Sequence, residues 1–564
     1  NPLALPETVL PKGGIYDLTE YSLTSMDLRA TVAYNADLGK TGDHILNLFA
    51  GSELNSTDRQ AIWFRGWGYQ YNNGGIPYVD YRLFKQSQEE GTDYYSNSFQ
   101  YLRNLAFFGM ATYSYKGRYT INGTLRYEGS NMLGKSRQAR WLPTWNVSGS
   151  WNAHEENWWA PAFGKAWTYA SLKASYSLTA DRGPASNSLA VFQSFTPWRP
   201  STSANESAII LAALENSELT YEKKNELNIG VALGFVDNRI NVEFDWYRRN
   251  NFDLIGYTQT MGVGGVTTKL ANDATMESTG CEFTISTTNI KTKDFKWTTD
   301  WIFGWAENTI TKLDSRSQVY SLVNGVGRTE GRPIGALYSI PFAGLTEEGL
   351  PTFYIDAEHT QVVGPGNYAD IYFQEYENID YLKYEGTIDP KITGSFGNTF
   401  SWKGLKLNVF FTYSFGNVLR LDNLCPVYSS DYSDLTASMK EMKNRWMVPG
   451  DENVTTIPSI PTVRQMREID ALNNAYSAYN YSTERVAKGD FIRLKELSLA
   501  YDLPKKYFEG QNAVSSFGVK LSATNLWLAY ADKKLNGRDP EYYNSGGVSS
   551  PVPRQFTLTV KLGF

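Results

Sequence analysis

The side chains best suited to chemistry in this sequence are aromatic rings set among amides, carboxylates and guanidinium groups. The stretch WFRGWGYQYNNGGIPYVDYR (63–82) concentrates them, and SFTPWRP (194–200) and CPVYSSDYSD (425–434) repeat the mixture. Aromatic faces stack on sugar rings, and amide or carboxylate groups bind hydroxyls, so a few such residues can form a ligand site. The candidate substrate-binding residues are Trp67, Tyr69, Tyr71, Asn72, Asn73, Trp198, Arg199, Tyr428, Asp431 and Tyr432.

These aromatic residues also have an interpretation that involves no ligand. They can pack a loop against neighbouring loops or against a partner protein, and for any single residue this structural role is the more common one. Tyr and Asn bind peptide backbones as well as sugars. The pattern therefore predicts a binding surface without deciding between a glycan and an oligopeptide.

No catalytic or metal centre is predicted. The chain has three histidines and two distant cysteines, Cys281 and Cys425, too little material for a histidine-based zinc site, a catalytic triad or a disulfide framework. With 53 basic and 59 acidic residues the net charge is -6, which offers no basic face for nucleic acid. We expect a protein that is not an enzyme and needs no cofactor.

The elements that must position the aromatic stretches alternate polar and apolar residues with period two, which is typical of β-strands. Clear examples are YTINGTLRYEG (119–129), RINVEFDWY (239–247), FKWTTDWIFGW (295–305), LKLNVFFTYSF (405–415) and the last residues, RQFTLTVKLGF (554–564). A transmembrane barrel strand needs only every second residue to be apolar, so the mean hydropathy of -0.41 is compatible with a membrane location.

The connections between these strands are of two lengths. Tight turns are predicted at 115–118, 236–239 and 402–404, and long stretches rich in Gly, Asn, Ser, Tyr and Asp at 54–98, 180–220, 309–333 and 416–488. Short turns at one end and long loops at the other are typical of an outer-membrane barrel, whereas a soluble sandwich more often has short loops at both ends. We therefore predict an all-β fold, a transmembrane antiparallel β-barrel.

The barrel interpretation assigns each strand a lipid face and a lumen face. We expect lipid on one side of two strands, at Ile240, Val242, Phe244, Leu405, Leu407, Val409 and Phe411. The expected lumen residues are Asn241, Glu243, Asp245, Lys406 and Asn408.

Several stretches, in a fixed order, resemble the SusC-like TonB-dependent transporters of the Bacteroidetes. They are YKGRYTINGTLRYEGSNMLGKSRQARWLPTWNVSGSWN (115–152), NSELTYEKKNELNIGVALGFVDNRINVEFDWYRRN (216–250), EGRPIGALYSIPFAGLTEEGLPTF (330–353), NRWMVPGDENVTTIPSI (444–460), KGDFIRLKELSLAYDLPKKY (488–507), SATNLWLAY (522–530) and NGRDPEYY (536–543). The ordered set is specific, although each piece alone is not. The resemblance runs from about residue 20 to the end.

The resemblance implies energised import of large nutrients across the outer membrane. Glycan is the first expectation for the cargo and oligopeptide the alternative. The implied partners are a SusD-like surface lipoprotein acting as lid, TonB, and the outer-membrane lipid, and pairs of transporter and lid can assemble as dimers. A non-transporting adhesin or structural barrel and a soluble carbohydrate-binding protein remain as alternatives of another class.

The family carries a TonB box, an N-terminal carboxypeptidase-like domain and a plug before its barrel, and none of these is recognisable in the sequence. About 17 strand candidates compare with the 22 strands of a plugged outer-membrane transporter. We therefore expect residues 1–21 to be a loop or strand end and 22–564 the C-terminal part of the barrel. The strand near 25–37, which would be the sixth of 22, must then pair with a strand outside this sequence.

Overall fold

The protein folds around one large antiparallel sheet. The computed structural model describes residues 13–39, 42–78, 80–89, 93–185, 188–195, 208–262, 265–424, 440–504, 507, 514–543 and 553–564. Within these residues the main sheet has sixteen strands, and fifteen of them follow one another in chain order. The fifteen strands, called the wall here, are β1 Gly14–Leu38, β2 His44–Gln70, β3 Tyr95–Tyr115, β4 Tyr119–Ser130, β5 Trp141–Asn152, β6 Trp167–Asp181, β7 Glu222–Phe235, β8 Ile240–Gln259, β9 Thr268–Lys291, β10 Phe295–Leu313, β11 Ile392–Trp402, β12 Leu405–Phe415, β13 Phe491–Asp502, β14 Ser516–Ala531 and β15 Gln555–Gly563.

The register of the wall keeps like residues on one face. Val242 of β8 lies opposite Leu233 and Ile285 of its two neighbours, so an apolar ladder crosses three strands. One residue along, Glu243 lies opposite Ala232 and Thr284. Because a shift of one residue would exchange the two faces, the alternating sequence specifies this register strongly. On β8 and β12 the residues predicted for the apolar face alternate with those predicted for the polar face, and Lys406 and Asn408 line a cavity on the polar side.

The three predicted tight turns lie at the same end of the wall, as expected. They join β3 to β4, β7 to β8 and β11 to β12, which are hairpins beginning with odd-numbered strands. Their backbones enter the left-handed region, for example at Asp237 and Gly404. At Gly404, where φ is 91°, an added Cβ would also lie 2.5 Å from the Asp502 carbonyl oxygen, so this position requires glycine.

The prediction of a long loop over 54–98 is wrong at both ends. Strand β2 continues to Gln70 and β3 begins at Tyr95. The segment ELNSTDRQ (53–60) lacks regular apolar residues, yet its backbone pairs with β1 on one side and β3 on the other. A strand that extends past the membrane needs backbone partners but does not need an apolar face. The alternation of polar and apolar residues therefore failed to identify this part of β2.

The other predicted loops also contain regular structure. Residues 180–220 include a separate hairpin, Val191–Phe195 with Ala208–Ala213, and the predicted loop 309–333 begins inside β10. The stretch 330–353, one of those that resemble the family, forms short strands outside the wall. The short strands are Ile76–Tyr78, Val191–Phe195, Ala208–Ala213, Ala336–Ser339, Phe342–Leu345, Pro351–Tyr354, Val362–Val363, Lys383–Thr387, Val418–Arg420 and Val486–Lys488.

The wall has fifteen consecutive strands, compared with the prediction of about 17, since sequence cannot separate wall strands from short strands in loops. Counting back from the last of 22 strands makes β1 the eighth strand instead of the sixth. Both positions are even, so the predicted direction of the strand across the membrane does not change. The order starts at β1 and stops at β15. Both strands are exposed along nearly their whole length, so each presents an edge within the described part of the chain.

Helices are few and short. The α-helices are Tyr81–Glu89, Arg137–Arg140, Trp159–Phe163, Val319–Val323, Val463–Glu468 and Leu472–Asn480. The 3₁₀ turns are Tyr71–Asn73, Ala153–Glu155, Tyr368–Asp370, Lys440–Asn444, Asp451–Asn453, Thr483–Arg485, Lys533–Leu535 and Pro540–Tyr542. Among the described residues, none of the helices has the length and apolar character needed to cross a bilayer.

The largest hydrophobic core lies outside the wall, in two long connections. Residues 314–391, between β10 and β11, pack on residues 416–424 and 440–490, between β12 and β13, and we call this unit the loop core. Tyr368, Phe353 and Tyr479 are its largest fully buried side chains. The Tyr368 hydroxyl donates to the Pro351 carbonyl at 2.8 Å, so even the polar tip of this ring is satisfied inside the loop core.

Candidate transport lumen

The two faces of the wall differ in chemistry along its whole length. The outward set is apolar and exposed, and includes Leu125, Val147, Leu172, Ile229 and Phe244. The opposite set is mostly polar, and cavities of about 400 and 440 Å³ lie against it. An exposed apolar band with a polar interior is the arrangement of a transmembrane β-barrel, in which lipid contacts the band and water fills the lumen.

Aromatic residues mark both borders of the apolar band. Tyr127 and Trp141 stack at the long-loop end of β4 and β5, with ring centroids 5.2 Å apart. At the short-turn end, Trp297 and Phe400 stack at 5.6 Å. Rings of this kind sit at the level of the lipid headgroups and form the girdles of outer-membrane barrels.

The segments of the loop core are held together by a buried arginine. The guanidinium of Arg420, which follows β12, donates to the Ser339 hydroxyl at 3.1 Å and to the carbonyls of Ser482 and Val323 at 2.9 and 3.2 Å. Burial lowers the pKa of Arg420 to about 10, so the side chain stays charged at neutral pH. Three segments of the loop core are therefore tied to one cation.

The connection between β14 and β15 joins the same assembly through ion pairs. Arg493 of β13 contacts Asp539 at 2.5 Å and Glu541 at 2.8 Å, and its side chain is 5% exposed. Arg538 pairs with Asp422. Residues 536–543 form one of the stretches that resemble the SusC-like transporters, and these ion pairs give them a structural role.

A second, smaller set of loops covers the other side of the long-loop end. Leu133, Leu219, Tyr221 and Ile255 are buried together there. The Asn272 amide donates to the carbonyls of Thr220 and Asp253 at 3.0 and 2.6 Å, so side-chain bonds as well as apolar packing hold these loops.

A cavity of about 400 Å³ lies beneath this second set of loops, on the polar face of β2, β3 and β4. Its polar lining consists of Glu53, Asn55, Asn104, Arg126, Glu128, Ser130, Asp181, Arg182 and Tyr221. We call it the mouth cavity, because Ser130 and Asp181 end strands at the long-loop end. Burial raises the pKa of Tyr221, whose hydroxyl therefore remains protonated.

Most of the mouth cavity was missed as a site at the level of sequence. Arg126 and Glu128 were recognisable only as charges on the polar face of a strand, and Glu53 immediately precedes the stretch 54–98 that was interpreted as a loop. Residues from five segments meet there, and only the register of the sheet brings them together. The available signal was Arg126, two residues before Glu128 on a strand face expected to contact lumen water.

The predicted binding residues of the first aromatic stretch lie in the last residues of β2, which hold Trp67 and Tyr69, and in the turn Tyr71–Asn73 that follows. Trp67 packs against Phe84 and Tyr94, with ring centroids 6.0 and 6.5 Å apart. Tyr69 stacks on Tyr16 of β1 at 4.8 Å. These rings are engaged within the protein, which agrees with the packing interpretation, and their part in ligand binding stays a prediction.

Tyr71 is the most accessible of these aromatic residues, with 74% of its surface exposed, and its ring meets the Tyr69 ring edge-on at 4.7 Å. Asn72 is also exposed, and Asn73 belongs to the same short turn. The other five candidates lie outside the described residues, and no arrangement can be given for them. They are Trp198, Arg199, Tyr428, Asp431 and Tyr432.

The fold and its two faces define an outer-membrane β-barrel protein, and comparisons with known proteins agree. No family model matches the sequence. TonB-dependent receptor P3 of Formosa agariphila is 25% identical over 99% of this chain and 54% of its own length. TonB-dependent receptor SusC of Bacteroides thetaiotaomicron is 27% identical over 81% of this chain and 43% of its own. The chain thus spans about half the length of these curated relatives.

Among solved structures, the RagAB peptide transporter has the same fold. Its TM-score is 0.75 at 21% identity, over 98% of this chain and 56% of that one. Together with the sequence matches, this confirms the resemblance to SusC-like TonB-dependent transporters. The protein is located in the bacterial outer membrane, which it spans with the strands of the wall.

Proposed function

We propose that this chain is the C-terminal barrel portion of a TonB-dependent importer that carries large nutrients across the outer membrane. The observation that supports this most strongly is a wall with an apolar outside and a polar inside, in a sequence similar to TonB-dependent receptors along almost its whole length. In this proposal the protein is not an enzyme. The cargo passes through the polar lumen, and TonB supplies energy through parts of the protein outside this chain.

The proposal includes a surface lipoprotein of the SusD type as partner. The loop core supports this part, because it is a large folded platform at the long-loop end, where a lid would have to dock. Tyr320 and Tyr372 remain half exposed on it, so it offers aromatic contact area. A dimer of transporter–lid pairs is compatible with the same arrangement.

Two cargo classes are retained, glycan and oligopeptide. The aromatic stretch at 63–82 favours a glycan, since rings and amides are the usual contacts of sugars. The mouth cavity favours a peptide, since guanidinium and carboxylate groups outnumber its single aromatic ring, that of Tyr221. The structural neighbour described as a peptide transporter is in keeping with the second class.

Deletion of the complete gene provides the test. We expect the deletion strain to lose growth on one nutrient class, either glycans or peptides, as sole source, and the full gene to restore it. A complementing gene with its TonB-interacting segment removed should assemble normally and fail to restore growth. Unchanged growth on both classes, with normal assembly in the parent, would reject import. Co-purification of a lipoprotein encoded nearby would test the lid separately.

A further inference from the structure

The long-loop end of β3 carries exposed aromatic rings on the face that points away from the lumen. In the ladder between β3 and β4, Phe107 lies opposite Tyr127, which belongs to the aromatic border of the apolar band. Phe99 and Tyr101 are in step with Phe107 along the strand, so all three share the outward face. Phe99 and Tyr101 are 54% and 53% exposed. These rings are therefore available on the outside of the barrel and not in its lumen.

Both rings lie above the bilayer. Tyr101 is six residues beyond Phe107 on β3, and Phe99 is farther still. With a rise of about 3.3 Å per residue and a strand tilt of about 40°, Tyr101 stands about 15 Å above the aromatic border. Acyl chains do not reach this height. The layer that surrounds an outer-membrane protein there is the carbohydrate of the outer-leaflet glycolipid.

The side chains next to the two rings are polar. In the ladder between β2 and β3, Asp58 lies opposite Tyr101 and Gln60 lies opposite Phe99. The Gln60 amide donates to Asn97 Oδ1 at 3.2 Å, and each of these two amide groups has a further donor or acceptor atom. Aromatic rings beside amides and a carboxylate are the usual contacts of sugars. The chemistry of this surface therefore suits a glycan better than an acyl chain.

The two rings are held in a defined orientation by their surroundings. The planes of Phe99 and Tyr101 are parallel to within 5°, and their centroids are 6.3 Å apart. Arg103 lies 5.9 Å from the Tyr101 centroid, and its Nη1 atom is 2.6 Å from Asp58 Oδ1. The backbone of this part of β3 is paired with β2. Because the rings are ordered before any ligand arrives, binding costs little conformational entropy.

We propose that Phe99 and Tyr101, with Gln60 and Asn97, bind the sugar portion of the glycolipid that surrounds the barrel. We call this surface the outer platform. Its position identifies the occupant, because the outer platform continues the lipid-contacting face upward to the height at which the sugars of the same glycolipid lie. Cargo in the lumen would contact the opposite face of the wall. The inference depends on the outer-membrane location and not on the import function.

The test uses the complete transporter, purified in detergent, and calorimetric titration of two probes. One is the oligosaccharide of the same bacterium's outer-membrane glycolipid, released from its lipid by mild acid, and the other is maltotetraose. Phe99→Ala with Tyr101→Ala removes both rings, and Tyr101→Phe keeps the second ring. Phe107→Ala is the matched control, since Phe107 is a half-exposed ring on the same strand face at the border of the bilayer. Heat-resistant migration on gels verifies that each variant is folded.

We expect the double variant to bind the glycolipid oligosaccharide about five-fold or more weakly, because two stacking contacts are lost. Tyr101→Phe and Phe107→Ala should change this binding less than two-fold. Any binding of maltotetraose should be the same in all variants, since a cargo glycan would use the lumen. After extraction in mild detergent, native mass spectrometry should count fewer glycolipid molecules on the double variant than on the Phe107→Ala control.

Three results would overturn the outer platform. They are a parent protein that does not bind the oligosaccharide, unchanged binding in the double variant, and equal losses in the double variant and in Phe107→Ala. If a surface lipoprotein covers the rings instead, the double variant will lose that partner on co-purification while oligosaccharide binding stays unchanged. If another part of the same protein covers them, the double variant will lower the melting temperature without affecting either probe. Both of these outcomes also reject the glycolipid site.

Discussion

The first hairpin and the loop core are stabilised in opposite ways. Strands β1 and β2 extend over 25 and 27 residues, and β1 is exposed on both faces, with Val32 and Leu28 more than 60% exposed. The loop core, in contrast, buries Tyr368 and Tyr479 almost completely. The hairpin relies on surroundings outside this chain, which include lipid and lumen water. The loop core supplies its own interior.

The comparison shows where stability comes from in each region. In the hairpin the stability comes from the backbone hydrogen bonds between the strands. Its apolar side chains are stabilised by contact with lipid and not by packing on each other. In the loop core the stability comes from close packing plus buried polar anchors such as Arg420. The consequences of substitutions should differ accordingly.

The largest effect should arise at the free edge of β1. An unpaired strand edge in lipid costs several kcal/mol for each unsatisfied backbone group, so we expect β1 to pair with a strand from outside the described chain. Hydrogen exchange of the complete protein should show β1 amides as protected as those of β2. Residues 1–564 produced alone should fail to give a heat-resistant barrel. A structure in which β1 pairs directly with β15 would contradict this.

Within the loop core, Tyr368→Ala should remove a fully buried ring and its hydrogen bond to Pro351. We expect the loop core to lose about 3–5 kcal/mol of its free energy of unfolding, while the wall stays intact. Proteolysis of the loop core under native conditions would report this loss, and heat-resistant migration would report the wall. Tyr372→Ala, at an exposed tyrosine nearby, is the control and should have little effect. Equal susceptibility of both variants would show that the loop core lacks the proposed rigidity.

On the wall, Val242→Arg should cost about 2–4 kcal/mol, because it places a charge on the lipid face near mid-bilayer. Asn241→Arg, one residue away on the polar face, should be milder. Folding into lipid vesicles, followed by denaturant titration, would measure both. If the Asn241 variant were the more damaging one, the two faces would have to be exchanged.

The smallest effect is expected at the aromatic stretch. If it binds cargo, Trp67→Ala with Tyr71→Ala should weaken binding by about 0.5–1.5 kcal/mol for each ring that no longer stacks on the cargo, while assembly stays normal. If it touches the lid, the same pair of changes should loosen the complex in the absence of nutrient. Growth on the nutrient and co-purification of the lid separate these outcomes. No change in either would remove Trp67 and Tyr71 from the candidate residues.

Sequence patterns predicted the wall well where lipid imposes alternation. The β7–β8 and β11–β12 hairpins, their turns and their faces follow directly from every second residue being apolar. The alternation of polar and apolar residues failed to predict the part of β2 around Asp58. This part lies at the long-loop end, where no lipid contact requires apolar residues. Periodicity also gave no indication that the short strands within 330–353 pack in the loop core and not in the wall.

The two candidate sites, the aromatic stretch and the mouth cavity, also differ in how far the sequence could predict them. Trp67 and Tyr71 could be chosen from composition, because a cluster of aromatic residues is visible in one stretch of sequence. The mouth cavity could not, because Glu53 and Arg126 are 73 residues apart and meet only through two intervening strand pairings.

The sequence by itself determined the fold class, the two faces of the strands and the end at which the turns lie, since these depend on local periodicity that water and lipid enforce. The tertiary structure alone decided how far the strands extend beyond the bilayer, that the long connections fold into a core of their own, and which charged residues meet at the mouth cavity. The physical reason is that register and packing bring distant residues together, whereas periodicity acts only between neighbours.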